Sequence, residues 1–412
     1  MWWRIALLLS MLVIGLANQA HAQPNLLARL TVDAGDQPRL DTPISIALDN
    51  LAISPDGLRL LEVQGDQRLP VPAQLEPGKP PILHWILSGT TPAHGQRVYE
   101  LSASPVVAAP IVETRQTPTG LDLHWADAQV LHFQSAIMPP PAGADPRYAR
   151  SGFIHPLRSP AGAVLTNIHP ADHIHHLGLW NPWTSTEFEG RHVDFWNIKD
   201  GTGTVRFAKL LDKTSGPVFA GFRVAQEHVA LNTTAGPKVA LNEILDVRVW
   251  RVGGPDKGYW LVDYTTTQRC ASSSPLKLLA YRYGGIGFRA TADWKESNSN
   301  YLTSEGKTRK DGHATRARWC AMYGATSQGP AGIEFMSHPK NRQHPEPMRL
   351  WPEGDIFFNF CPIQSVPWTL EPGNDYTLRY RLYIYDGTAS RETFERFWQD
   401  FGNPPQIKLE KP

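Results

Sequence analysis

Alternation of apolar and polar residues is the strongest local signal in the chain. From Val239 to Val249 the odd positions Val239, Leu241, Leu245, Val247 and Val249 are apolar, Glu243 being the exception, while Asn242, Asp246 and Arg248 stand between them. The same period of two runs through Tyr376-Thr377-Leu378-Arg379-Tyr380-Arg381-Leu382-Tyr383-Ile384, with one apolar face and one that mixes arginine with tyrosine. Side chains alternate across a strand, so repeats this long predict antiparallel strands with one face on a core and the other wet or lining a groove. Between Asn25 and Ser104 the alternating stretches are shorter, as in Ile44-Ser45-Ile46-Ala47-Leu48 and Leu58-Arg59-Leu60-Leu61-Glu62-Val63. Turn-rich pieces, Ser54-Pro55-Asp56-Gly57 and Glu76-Pro77-Gly78-Lys79-Pro80-Pro81, separate them, which predicts a small β-sandwich. The stretch Pro105-Val106-Val107-Ala108-Ala109-Pro110 reads as a linker or crossover. One helix is signalled: Ser390 as N-cap, Phe394, Phe397, Trp398 and Phe401 on one face, and Gly402 with Pro404 at its end. That aromatic stripe is read as packing.

The start of the chain changes the compartment. Met1-Trp2-Trp3-Arg4 is a short basic head, Ile5 to Ala17 is apolar apart from Ser10 and Gly15, and Ala20-His21-Ala22 is a small-x-small cleavage signal. A secretory signal peptide over residues 1–22 is expected, cut before Gln23, with the protein periplasmic or secreted and without a membrane span after cleavage. A small β-sandwich is expected over 23–115 and a large one over 116–412, since 412 residues exceed the usual size of one domain. Forty Lys and Arg against 39 Asp and Glu give no reason to expect nucleic acid or an anionic membrane as partner. Cys270, Cys320 and Cys361 show no CxxC spacing; a disulfide with one thiol left over and three buried thiols are the alternatives, the second favoured.

Candidate chemistry concentrates in His169-Pro170-Ala171-Asp172-His173-Ile174-His175-His176-Leu177-Gly178-Leu179-Trp180, followed by His192 and Asp194. In an extended chain His173 and His175 share one face and His176 takes the other. Imidazole titrates near neutrality, so such a cluster can hold a metal, move protons or bind substrate, or serve only a polar turn. His-x-His suits two ligands from one strand, with Asp172 or Glu187 as an oxygen donor, but Leu177 to Ser185 lacks the carboxylate that a cupin pattern wants. Metal-free acid–base chemistry or binding is the favoured reading, with no cofactor and no tightly bound metal.

Two further constellations carry charge. The segment Thr303 to His313, continuing to Arg316 and Trp319, presents Glu305, Asp311, His313 and Arg316; a carboxylate near cations is a candidate acid or base, and an arginine can clamp a substrate carboxylate. Ser337-His338-Pro339-Lys340-Asn341-Arg342-Gln343-His344-Pro345 reads either as a functional loop or as a polar turn. Gly284-Gly285-Ile286-Gly287 lacks a following helix and reads as a tight turn or close backbone contact, not a dinucleotide fingerprint. No GxSxG elbow or Walker motif occurs, which removes the commonest hydrolase and nucleotide classes. Trp180, Trp183 and Trp196 surround the histidines, and indole faces are platforms for the C–H faces of sugars.

Several separated blocks resemble one family. Phe153-Ile154-His155-Pro156-Leu157, Ser159-Pro160-Ala161-Gly162, Asp172 to Trp180, Tyr283 to Arg289, Thr303 to Trp319, and Ser337-His338-Pro339 onward resemble a bacterial domain of unknown function often labelled the PmoA family. The membrane methane monooxygenase subunit is a different protein, since it spans the bilayer several times and this chain has no such helix past its leader. Where the family typically shows Asp-His-Pro-His-His-Arg-Gly, this chain has Ile174 and Leu177 in place of the proline and the arginine. The resemblance implies a large antiparallel supersandwich like that of galactose mutarotase, and a place in polysaccharide degradation.

The expectation is an exported carbohydrate-active enzyme of lyase, hydrolase or epimerase type. His175, His176 and Glu305 are its candidate proton-transfer groups, and His173, Trp180, Arg316, His338 and Arg342 its substrate contacts. A non-catalytic glycan-binding protein and a His-ligated metal enzyme are the alternatives.

Overall fold

The computed structural model describes residues 26–49, 51, 57–103 and 111–412. The expected signal peptide and the proline-flanked crossover at 105–110 lie outside them.

The alternating segments form strands of a mainly β, antiparallel protein. The segment around Val239 is a 17-residue strand, Lys238–Gly254, whose odd side chains Leu241, Leu245, Val247 and Val249 are buried in the main core. Glu243 keeps the inward direction that the period of two imposes, although it is charged. It accepts from Thr266 Oγ1 at 2.6 Å and Asn181 Nδ2 at 3.2 Å and meets His228 Nε2 at 2.7 Å, so the core closes around a satisfied polar group. This strand lies inside an eight-stranded sheet that runs from Gly203–Thr214 at one edge to Ser299–Thr303 at the other.

A nine-stranded sheet faces it. Its order is Arg316–Ala317, Glu346–Leu350, Phe357–Phe360, Gly287–Arg289, Leu179–Trp180, Phe153–Leu157, Ala128–Gln134, Gly120–Trp125 and Val112–Gln116. Ile154, Leu179, Phe288 and Phe358 point from this sheet into the same core as Val247, Val262, Leu382 and Ile384 from the other, which makes a large antiparallel sandwich. The three cysteines are free and buried.

On the far side of the eight-stranded sheet the arginine–tyrosine face of Tyr376–Asp386 is covered rather than wet. The helix Arg391–Gly402 lies on it, with Tyr383 stacked on Phe397 at 4.1 Å, and Ser390 Oγ caps the helix by accepting from Thr393 N at 3.2 Å. The small sandwich packs beside the helix: sheets of five and three strands close on Leu30, Trp85, Leu87, Tyr99 and Leu101. Its edge strand Gln406–Glu410, part of the segment assigned above to the large sandwich, pairs antiparallel with Leu26–Asp33. A cleft of about 590 Å³ remains between the two sandwiches. Its charges are spent on one another, Arg381 on Asp263 at 2.6 Å and Arg248 on Glu76 at 2.7 Å.

Candidate functional site

The histidines sit on the outer face of the nine-stranded sheet. Because Ile154, Leu179, Phe288 and Phe358 face the core, their neighbours Phe153, Trp180, Arg289 and Phe357 face outward. Over this face the segment from His169 to Gly178 folds back in two successive turns, His173 N donating to Pro170 O at 3.0 Å and His176 N to His173 O at 2.9 Å. The extended geometry expected for it does not form. Residues three apart therefore meet: the rings of His173 and His176 stack at 4.8 Å with 22° between their planes, and His176 stacks in turn on Phe357 at 4.9 Å. His175 stands edge-on to His176 at 4.6 Å and to His173 at 5.6 Å, so all three rings cluster. Gly178 closes the fold-back with φ of 72°, and a Cβ there would meet Ile154 O at 2.5 Å, which is why glycine stands there.

The polar groups are arranged around one buried guanidinium. Arg289 is fully buried and donates from Nη2 to Asp172 at 3.0 and 3.1 Å and to Asp355 Oδ2 at 2.8 Å, its Cζ 4.9 Å from the Trp351 ring centroid. Asp172 also lies 2.9 Å from His173 Nδ1, so that nitrogen carries a proton and donates to the carboxylate. Burial pushes the Asp172 carboxyl up, but the His173 hydrogen bond and the Arg289 charge hold it below the ordinary range. Burial lowers His175 to about 4, with His173 and Arg150 adding to the effect, and lowers His176 well below its usual value. Both rings are neutral at pH 7. The Nδ1 of His176 and the Nε1 of Trp180 are buried without a protein partner.

Aromatic rings continue the surface. Trp180 lies beneath His176 at 5.3 Å and against Trp196 at 5.0 Å, so it is a floor and not an exposed platform. The partly exposed rings are Trp351 and Tyr283, and Arg349 extends the rim by meeting His313 Nε2 at 2.7 Å over Tyr283. Trp183 faces the opposite way, into the main core, where Nε1 donates to Gln268 Oε1 at 2.8 Å. Gly284 and Gly285 make the close backbone contact expected of them, a Cβ on Gly285 meeting Phe360 O at 2.8 Å.

The remaining candidates are elsewhere. Glu305 lies on an exposed turn beside the C-terminal helix, where Arg391 donates to Ser304 O; its own carboxylate accepts from Ser304 Oγ at 3.1 Å. The structure does not bring it to the histidines, because Ser304 pairs with Trp319 on the helix side of the other sheet. Arg316 is spent on Gln343 and on Pro345 O, Arg342 on Pro367 O and the face of Trp368, and His338 packs edge-on against Phe401 at 5.1 Å. Their loop is tied down by Glu346, a buried carboxyl pushed up to about 7 that accepts from Ser337, Asn341 and Tyr380. Sequence reasoning did not single out Arg289, Asp355, Trp351 or Phe357 for the site; only the outward position of Arg289 next to Phe288 hints at it. Among the described residues no three His, Cys, Asp or Glu side chains converge at metal-ligand spacing.

A family model matches residues 120–399, which carry the whole of this face. The chain belongs to that family, a family of unknown function, DUF6807. The match attaches no activity to it and does not support the PmoA label. No curated protein matches the sequence. Among solved structures the chain is similar to heparan sulfate lyase HepC from Pedobacter heparinus, at 10% identity and a TM-score of 0.30 over 74% of this chain, and it spans 43% of that protein's length. Among the described residues no helix is long and apolar enough to cross a membrane.

Proposed function

We propose that the protein is an exported carbohydrate-active enzyme whose site is the histidine face of the nine-stranded sheet. The observation that carries this reading is the coincidence of partly exposed aromatic faces, Trp351 and Tyr283, with a neutral, half-buried imidazole, His175, that forms no hydrogen bond to the protein among the described residues. Aromatic faces hold the apolar sides of sugar rings, and an unspent neutral imidazole accepts a proton from a bound hydroxyl, water or ring carbon. His176 is clamped between His173 and Phe357 and orients its neighbour, while Arg289 and Asp172 fix the His173 ring. Glu305, Arg316, His338 and Arg342 have no part in this arrangement.

Purified protein incubated with a panel of plant, algal and animal oligosaccharides, read for new reducing ends and for the absorbance of unsaturated uronates, tests it. Turnover that disappears in His175→Ala is the expected result. Tight glycan binding without turnover would instead favour the binding-protein alternative, and neither binding nor turnover would overturn the proposal.

A further inference from the structure

The cleft of about 590 Å³ between the two sandwiches has the size of a small-molecule site and lies on the opposite side of the large sandwich from the histidine face. Its floor follows from strand register. Val247, Val262 and Leu382 point into the main core, so their neighbours Arg248, Asp263 and Arg381 point out, and pairing sets these three side by side across adjacent strands. Thr265 stands opposite Asp246 in the next outward row. The small sandwich forms the roof. Arg39–Ala47 and Gln406–Glu410 are edge strands of its two sheets, and Ser45 and Ile407 line the cleft from them.

Every arginine and carboxylate around the cleft is answered within the protein. Arg248 donates to Asp246 at 2.9 and 3.1 Å and to Glu76 at 2.8 and 2.7 Å, and Arg381 donates to Asp263 at 2.6 and 2.9 Å. Asp400 accepts from Arg39 and from Thr42, both at 3.0 Å. The pairs nevertheless leave hydrogen-bonding capacity unused. Nη1 of Arg381, a residue 6% exposed that lines the cleft, has no protein partner among the described residues and is not sealed from solvent. The hydroxyls of half-buried Thr265 and exposed Ser45 are likewise without a partner among the described residues. Each oxygen of Asp263 accepts one bond from Arg381, and a carboxylate oxygen has room for a second. Trp250 and Phe401 flank the Arg381 guanidinium, with ring centroids at 5.9 and 4.9 Å, and Ile407 extends the apolar wall. A joint made only for stability is better filled with packed apolar residues, because buried ion pairs return little.

We propose that this cleft is a second binding site and that it takes a neutral mono- or disaccharide, independently of any chemistry at the histidine face. Sugar hydroxyls both donate and accept, which matches an arginine N–H, two hydroxyls and carboxylate lone pairs gathered in one cleft, and the C–H face of the ring matches Trp250 and Phe401. An acidic sugar fits worse, since its carboxylate meets Asp246 and Asp263 and finds no unpaired cation. An extended peptide added to either strand edge also fits worse. Pro43 lies within Arg39–Ala47, Pro404 and Pro405 precede Gln406–Glu410, and proline cannot donate to a new strand.

Calorimetric titration of the purified protein tests the proposal, with glucose, cellobiose, maltose, lactose and xylobiose, with glucuronate beside glucose, and with an uncharged, proline-free peptide. At least one neutral sugar binds, glucuronate binds about 10-fold or more weakly than glucose, and the peptide does not bind. Hydrogen exchange slows in residues 39–47 and 404–410 when the sugar is present. Thr265→Val, which keeps the volume and removes the hydroxyl, should weaken binding about 2- to 10-fold, and Arg381→Lys, which keeps a cation beside Asp263 but loses Nη1, about 10-fold or more. Ser45→Trp fills the cleft from an exposed position and should abolish binding with the melting temperature unchanged, whereas His175→Ala should leave affinity as it is. No binding by any neutral sugar, glucuronate as tight as glucose, binding of the peptide, or full affinity in Ser45→Trp would overturn the inference. Sugar binding lost in His175→Ala but kept in Ser45→Trp would also overturn it while leaving the histidine face standing as a carbohydrate site. Cleft binding in a protein that turns over no oligosaccharide would remove only the enzyme reading of that face.

Discussion

At the scale of single residues, the histidines that lie next to each other in the chain have different work. Of the two neutral rings His175 is the one that reaches the surface, and its replacement by alanine should lower turnover by about 100-fold or more, whereas Glu305→Gln should leave it unchanged. Since burial holds His175 near 4, activity should rise as pH passes upward through about 4 and be level by neutrality, and that limb should vanish in the alanine variant. Steady-state rates across pH 3.5 to 8 on both variants check this; a Glu305→Gln enzyme as damaged as His175→Ala would reverse the assignment. His176 is a different case, a ring packed between two others with Nδ1 unpartnered. His176→Phe keeps the stack and removes a buried polar atom that lacks a bond, so the folded state should gain about 1 kcal/mol while activity falls. Urea unfolding of that variant measures the gain, and a loss of stability would mean that Nδ1 has a partner.

At the scale of elements, legibility followed repeat length. The strands Lys238–Gly254 and Tyr376–Asp386 were readable because each repeats its pattern over many residues, and the rule held so firmly that Glu243 follows it into the core. Leu179–Trp180 and Gly287–Arg289 have two and three residues, too few to show a period, yet they carry the site. The histidine segment was misjudged for a related reason: an extended chain pairs residues two apart, whereas the turns at Pro170 and His173 pair residues three apart. Gly178→Ala should strain that fold-back, because the positive φ and the 2.5 Å approach to Ile154 O both act against a Cβ. A loss of about 2 kcal/mol is expected, read by chemical denaturation, together with loss of the His173–His176 stack. The helix was legible down to its cap and stripe. Ser390→Ala should cost about 1 kcal/mol and Phe397→Ala about 3 to 5 kcal/mol, the second because Tyr383 and Tyr259 then border a cavity.

At the scale of the whole molecule, the histidine face is assembled from positions far apart in sequence, Asp172, Arg289, Trp351 and Phe357, which no local pattern connects. The same long-range closure brings the C-terminal strand Gln406–Glu410 to the first strand of the small sandwich. Burying so many ionisable groups makes stability depend on pH, with a sign that follows from the balance of two sets. His155, His175 and His338 are lowered to about 4 and His176 well below its usual value, in each case chiefly by burial. The unfolded chain takes up their protons near the ordinary imidazole value of about 6.5, so below that pH unfolding binds protons that folding excludes and stability falls. Glu346, raised to about 7, and Glu334, raised well above its usual value with both oxygens unpartnered, act in the opposite sense, keeping protons in the folded state that the unfolded chain releases above about 4.5. Six lowered histidines, with His313 and His344, against three raised carboxyls, with Asp400, leave the histidines dominant between about 6.5 and 4.5, and solvent screening at the partly exposed rings reduces the slope to about 1 to 2 kcal/mol per pH unit. Below about 4.5 the carboxyls cease to oppose, because the unfolded chain is protonated there too. Glu76, held down to about 2 by His84 and Arg248 against its own burial, then adds a loss of the same sign. The unfolding midpoint in urea should therefore drop from pH 7 to 4.5 and more steeply below it, with Glu76→Gln flattening only the steeper limb. A midpoint that stays constant from pH 7 to 5 would mean that these histidines are not held neutral in the folded protein, and would remove the support that burial lends to His175 as a base.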